Sequence, residues 1–128
     1  MSIEVIVPPG SAPPLAPYSP GIKAGGFVYV SGTLAIGPGG ETLAVGDVTA
    51  QTRIVLESIK SVIEAAGGTM KSVVFNQIFL KDLADYAAMN AVYKEYFPEQ
   101  PPARYCIKAD MVRPEFLVEL ATTAYVGA

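Results

Sequence analysis

The sequence predicts an α/β architecture of the α+β sandwich type, a mixed sheet carrying two helices on one face. Two observations lead there: hydrophobic runs of strand length are interleaved with two segments of helical periodicity, and the strand-like runs are apolar on both sides. A third is size, since 128 residues fit one domain, 1–128, able to bury a core without disulfides or metals.

Ile3 to Val7 reads as a short strand. The next stretch carries Pro8, Pro9, Pro13, Pro14, Pro17 and Pro20, so it runs to Gly21 as an irregular, extended loop. Its stiffness presents Tyr18 at low entropic cost, although a tyrosine that merely packs would look the same. Phe27 to Ser31 is β-prone, bounded by Gly25-Gly26 and Gly32, and reads as a strand. Ser31-Gly32-Thr33 lies at its end. A glycine there permits close approach of a backbone or ligand, and the hydroxyls and amides suit an oxyanion, while a simple turn explains the triplet equally well.

From Asp47 to Ala66, Val48, Val55, Leu56, Ile59, Val62 and Ile63 recur at helical spacing, opposite Arg53, Glu57, Lys60 and Glu64. Asp47 or Thr49 can cap the start and Gly67-Gly68 can close the end. Val73 to Leu80 is a second strongly apolar strand. A helix follows from about Leu83 to Phe97, with Tyr86, Met89, Tyr93 and Phe97 on one face. Asn90 falls within that face, and an amide there needs partners, either a loop or the contents of a pocket.

Pro98, Pro101 and Pro102 end this helix and open the strand Ala103 to Ala109. Alternation places Arg104 and Cys106 on one side and Tyr105 and Ile107 on the other. The last strand, Phe116 to Val126, has Glu119 as its only charge. With two helices to cover one face, the other face of such apolar strands calls for subunit association.

Charge narrows the classes of function. Only 16% of residues are charged, against roughly 25% in an ordinary soluble domain, which again suggests surface given over to a homo-oligomer. The net charge of −3 and sequence pI near 4.8 supply no basic field for nucleic acid. No membrane span is expected, because proline and glycine break the uncharged runs Val5 to Ile22 and Ala24 to Gly40. One cysteine, and a start of Met1-Ser2-Ile3-Glu4, point to a reducing, cytoplasmic setting. Without histidine there is no Ser-His-Asp or Cys-His arrangement and no His-based metal site, so neither metal nor cofactor is expected.

Arg104 and Glu119 remain the chemical outliers, each interrupting an apolar strand. Arginine offers a permanent planar fork of donors that suits a carboxylate. If the two strands pair as neighbours the charges can meet, either as a plain ion pair or as a carboxylate anchor beside an acid that holds or activates water. Spacing alone does not decide between these.

The motifs Ala16-Pro17-Tyr18-Ser19-Pro20-Gly21, Val30-Ser31-Gly32, Pro102-Ala103-Arg104-Tyr105-Cys106 and Val118-Glu119-Leu120-Ala121 together resemble the RidA (YjgF-type) enamine/imine deaminase family over essentially the whole chain. Ser31-Gly32-Thr33-Leu34-Ala35, Ala65-Ala66-Gly67-Gly68-Thr69, Phe75-Asn76-Gln77-Ile78-Phe79 and Tyr86-Ala87-Ala88-Met89-Asn90 are most similar to its RutC branch, the aminoacrylate deaminases of uracil catabolism.

The resemblance implies a chorismate-mutase-like homotrimer with clefts between subunits. It implies that Arg104 anchors the substrate carboxylate and Glu119 positions water, with Tyr18, Gly32, Asn90 and Cys106 lining or supporting the cleft. Thr33 stands where many relatives have glutamine; the shorter side chain reshapes the pocket and favours 3-aminoacrylate over 2-aminoacrylate. The expected reaction yields malonic semialdehyde and ammonia. The alternatives are a 2-aminoacrylate or 2-imino acid deaminase, a non-catalytic trimer that senses small carboxylates, and a ribonuclease, which the acidic balance and missing histidine disfavour.

Overall fold

The computed structural model describes residues 2–127. One six-stranded sheet is built from β1 (Ile3–Ile6), β2 (Gly21–Ala24), β3 (Phe27–Thr33), β4 (Val73–Leu80), β5 (Ala103–Lys108) and β6 (Val118–Tyr125), in the spatial order β1-β2-β3-β6-β4-β5. Two helices, α1 (Val48–Ala65) and α2 (Tyr86–Tyr96), cross one face. Only β4 and β5 pair in parallel, so the sheet is mixed, as the alternation of strands and helices predicts.

The extra strand is β2. Its four residues follow the proline-rich loop too closely to show a period, and their pairing comes from a hairpin with β3 turned at Gly25-Gly26. Gly25 has a φ of 59°, a conformation that glycine adopts without a side-chain clash. The glycines that look like a strand boundary are therefore the turn itself. The second helix also starts later than its pattern, because Leu83–Asp85 forms a separate 3₁₀ turn capped by Asp82.

At α1, Asp47 is the cap, its carboxylate accepting from the Ala50 amide at 3.0 Å. Gly67 closes the helix with φ 94°, and the Gly68 amide returns to the Ile63 carbonyl at 2.9 Å. The apolar stripe of α1 buries Val55, Leu56, Ile59, Val62 and Ile63 against Val28, Val30, Ile78, Leu80 and Leu120 of the sheet. Burial of this kind is the main stabilising term, about 25 cal/mol for each Å² of apolar surface removed from water.

Two polar groups inside this core fix registers. Asn76 on β4 is fully buried, donating to the Tyr93 hydroxyl of α2 at 2.9 Å and accepting from Thr122 of β6 at 2.6 Å. Gln51 on α1 is also fully buried. Its amide nitrogen donates to the Glu115 carbonyl at 2.9 Å, and its oxygen accepts from the Leu117 amide at 2.8 Å, while contacts to the Leu43 and Ala44 carbonyls hold the segment before α1.

The sheet's other face is apolar and uncovered in the single chain. Phe75 and Phe79 meet the Tyr105 ring edge-on at 5.8 and 6.2 Å, and Phe27 meets Tyr125 at 5.1 Å. Tyr29, Ile107 and Tyr125 remain 50%, 49% and 52% exposed. No helix is long and apolar enough to cross a membrane among the described residues.

Gln51→Leu removes four hydrogen bonds while preserving most of the side-chain volume, leaving the Leu117 amide and the Glu115 carbonyl unpaired. The expected cost is about 2–4 kcal/mol, seen as a lower urea midpoint with an unchanged slope. A midpoint within error of the parent would show that the loops on either side of α1 are held by other means.

Candidate active site

The residues singled out by the sequence form two groups at separate places on the chain. Arg104 and Glu119 do not lie on neighbouring strands, since β4 runs between β5 and β6. They also face opposite ways. Arg104 is in register with Asn76, whose side chain meets α2, whereas Glu119 alternates with the buried Val118 and Leu120 and is in register with Phe79 on the open face. The intrachain ion pair that neighbouring strands would have allowed is absent: among the described residues the ion pair present is Arg53–Glu95 at 2.7 Å, on the helix surface.

In the first group the Arg104 guanidinium carbon lies 4.7 Å from the centroid of the Tyr93 ring and 5.7 Å from that of Tyr86. Arg104 Nη2 donates to the Tyr86 hydroxyl at 3.0 Å. Asn90 and Tyr93 line an open cavity of about 450 Å³ with Arg104, walled on its other side by Phe97, Pro101 and Pro102. Proline builds this wall: Pro98 follows the end of α2, where the helix cannot continue, and Pro101-Pro102 deliver the chain directly into β5. A guanidinium without a carboxylate partner, sharing the wall of an open cavity with an amide, is equipped to take an anion.

Cys106 sits two residues along the same face, half-buried. Burial pushes its thiol above the ordinary value, against the opposing pull of the Arg104 charge. A raised thiol supplies less thiolate at neutral pH, which suits a wall group better than a nucleophile.

The second group is assembled by an irregularity in β3. Between Val30 and Thr33 the register with β6 shifts, three steps on β3 matching two on β6, a bulge that turns the strand at Ser31-Gly32. Gly32 thereby lies directly against the Glu119 carboxylate, which a Cβ at position 32 would overlap. Tyr18, Ala16, Leu34 and Val112 complete a cavity of about 360 Å³ around this pair. Burial alone pushes the Glu119 carboxyl above the usual carboxylate range.

Tyr18 is carried by a tight turn at Pro17, where the Tyr18 amide meets the Ala16 carbonyl at 2.9 Å. Ser31 ties the loop to β3, its hydroxyl donating to the Ser19 carbonyl at 2.6 Å and its amide to the Pro20 carbonyl at 3.0 Å. Thr33 belongs to an adjoining cavity of about 300 Å³ between the proline-rich loop and α1, and its hydroxyl donates back to the Ser31 carbonyl at 2.7 Å.

The structure thus brings Tyr18, Gly32 and Glu119 together, with Thr33 alongside, and separately brings Asn90 to Arg104 with Cys106 as strand neighbour. Tyr86 and Tyr93 escaped assignment to the site from sequence. Their signal was present in the spacing of Tyr86, Asn90 and Tyr93, which places all three on one helical face, but that spacing reads equally as core. Among the described residues no cluster of three or more Cys, Asp or Glu side chains is placed to hold a metal ion.

The chain and its fold have relatives among known proteins. The chain is 53% identical over 126 residues to the 3-aminoacrylate deaminase RutC of Acinetobacter baylyi, a match spanning 98% of this chain and 100% of that one. RidA from an Antarctic Psychrobacter superposes with a TM-score of 0.88 at 31% identity, covering 96% of this chain and 99% of its own. TdcF of E. coli, solved with bound serine, gives a TM-score of 0.86 at 29% identity over 95% of this chain and 98% of its own. Residues 9–126 match the family described as endoribonuclease L-PSP, and the chain belongs to that family, of which the RidA (YjgF-type) proteins are members.

Proposed function

We propose that the chain is a deaminase of small enamine carboxylates, hydrolysing 3-aminoacrylate to malonic semialdehyde and ammonia. The observation that carries this reading is the Arg104 guanidinium, free of any acidic partner among the described residues and braced by two tyrosines at the wall of a cavity. The high identity to a 3-aminoacrylate deaminase over the full length supports the choice of substrate.

The separation of the two groups gives the site its plan. Arg104 with Asn90 is half a site, and Glu119 with Gly32 and Tyr18 is the other half, so a second copy must complete each one. The open apolar face supplies the surface for that association, and a homotrimer would close it around a three-fold axis.

In this plan Arg104 holds the carboxylate bidentately and fixes the enamine in the cleft. Protonation of the enamine at C2 turns C3 into an iminium carbon. Water attacks C3, giving up a proton to Glu119, and the carbinolamine collapses to the aldehyde as ammonia leaves. Glu119 takes the base role only when ionised, and the raised carboxyl places its titration closer to neutrality than that of an ordinary carboxylate.

The reading is tested by following ammonia release from 3-aminoacrylate generated in situ, against 2-aminoacrylate and against uncatalysed decay of each. Acceleration with preference for the 3-amino isomer is expected; saturable binding with no acceleration would make the protein a carboxylate sensor instead.

Arg104→Ala should lower kcat/KM by about 10²- to 10³-fold, the scale of removing a charged hydrogen-bonded partner, with the oligomer unchanged in sedimentation. Parent-like kinetics would remove Arg104 from the mechanism. For Glu119→Gln, carboxylate binding should persist while kcat falls about 100-fold. Because protonation removes the base, parent kcat/KM should decline as pH falls through a midpoint above the ordinary carboxylate range, and this acidic limb should vanish in Glu119→Gln. An acidic limb that survives the substitution belongs to another group.

A further inference from the structure

The geometry points to Tyr86 as a positioning residue that decides which edge of the Arg104 fork meets the substrate, an inference that rests on Arg104 being the carboxylate anchor. A guanidinium can grip a carboxylate through either of two edges, Nη1 with Nη2 or Nε with Nη2, and Nη2 takes part in both. The Tyr86 hydroxyl occupies one of the two Nη2 hydrogens at 3.0 Å. One edge is therefore spent on the protein, and a single bidentate edge is left for the ligand.

The surroundings hold this choice in place. Beneath the guanidinium the Tyr93 ring lies 4.7 Å away, and its hydroxyl is fixed by Asn76, itself held by Thr122, so the stacking plane is anchored in the core. The guanidinium cannot slide on this ring without leaving Tyr86. Tyr86 is by contrast half-exposed at the rim, with its ring 5.7 Å from the guanidinium carbon, so its hydroxyl supplies rotational restraint rather than bulk packing. Seven residues separate Tyr86 from Tyr93, two turns of α2, which is why a single helix presents both.

Freed of Tyr86, Arg104 keeps its charge and its stacking plane but offers both edges, so a bound carboxylate samples two orientations and the enamine carbon is less often aligned with the water. Tyr86→Phe retains the ring and deletes only the hydroxyl. Calorimetric titration with acrylate, an unreactive carboxylate of the substrate's length, is expected to weaken about three- to tenfold in this variant, the scale of one hydrogen bond to a charged group at a half-exposed site. In turnover the misalignment should lower kcat more than it raises KM, with the pH profile unmoved. Arg104→Ala is titrated alongside.

Loss of acrylate binding in Arg104→Ala together with the graded weakening in Tyr86→Phe supports the inference. Loss in Arg104→Ala with parent-like binding and kcat in Tyr86→Phe overturns the role of Tyr86 and leaves the anchor intact. Undiminished binding in Arg104→Ala overturns the anchor, and with it the inference.

Discussion

A buried amide at the centre of the sheet sets the geometry on which the rest depends. Asn76 lies among aliphatic side chains, where an amide without partners costs several kcal/mol. It is satisfied in one arrangement only, with Thr122 of β6 donating to its oxygen and Tyr93 of α2 accepting from its nitrogen. That requirement fixes β6 against β4 and α2 above both. Because β5 pairs in parallel with β4 at Asn76–Arg104, the same amide places the Tyr93 ring over the guanidinium. Three residues before Thr122, with the opposite parity, comes Glu119, which must face away from the helices. The arrangement that stabilises the core thus also separates the two charged groups.

This separation explains why the chain looks chemically incomplete by itself. Arg104 has a cavity and a brace but no catalytic acid, while Glu119 has a glycine, a tyrosine and a hydrophobic enclosure but no cation. Both deficits are met if the uncovered face, rich in Phe27, Tyr29, Tyr105 and Tyr125, associates with further copies. The low content of charged residues and the half-buried carboxylate then have one explanation, a surface whose groups are designed to meet another subunit.

Much of the fold was legible because its signals are local. The helical period of α1, its Asp47 cap and its Gly67 terminus are written within about twenty residues, and so is the alternation that puts Arg104 and Cys106 on one side of β5. The short strand β2 was not legible, because its identity lies in the partner it finds across Gly25-Gly26. Strand order was likewise hidden. Arg104 and Glu119 lie on consecutive strands in sequence, yet β4, which precedes both, inserts between them, and this follows from long-range pairing that leaves no local trace. The site showed the same division: the residue types at 18, 32, 104 and 119 marked chemistry, but the tyrosine brace at 86 and 93 looked like ordinary core spacing until the cation was placed against it.

If each site takes Arg104 from one copy and Glu119 from another, mixed oligomers must recover activity that neither variant has alone. Arg104→Ala and Glu119→Gln chains, each reduced to about 1% of parent activity or less when assembled alone, are co-expressed in equal amounts and assayed for 3-aminoacrylate hydrolysis. Random assembly of a cyclic trimer with shared sites restores both intact groups at about a quarter of the interfaces, so activity should return to about a quarter of the parent value. Mixed oligomers no more active than either variant alone would contradict the shared site and place both groups within one chain.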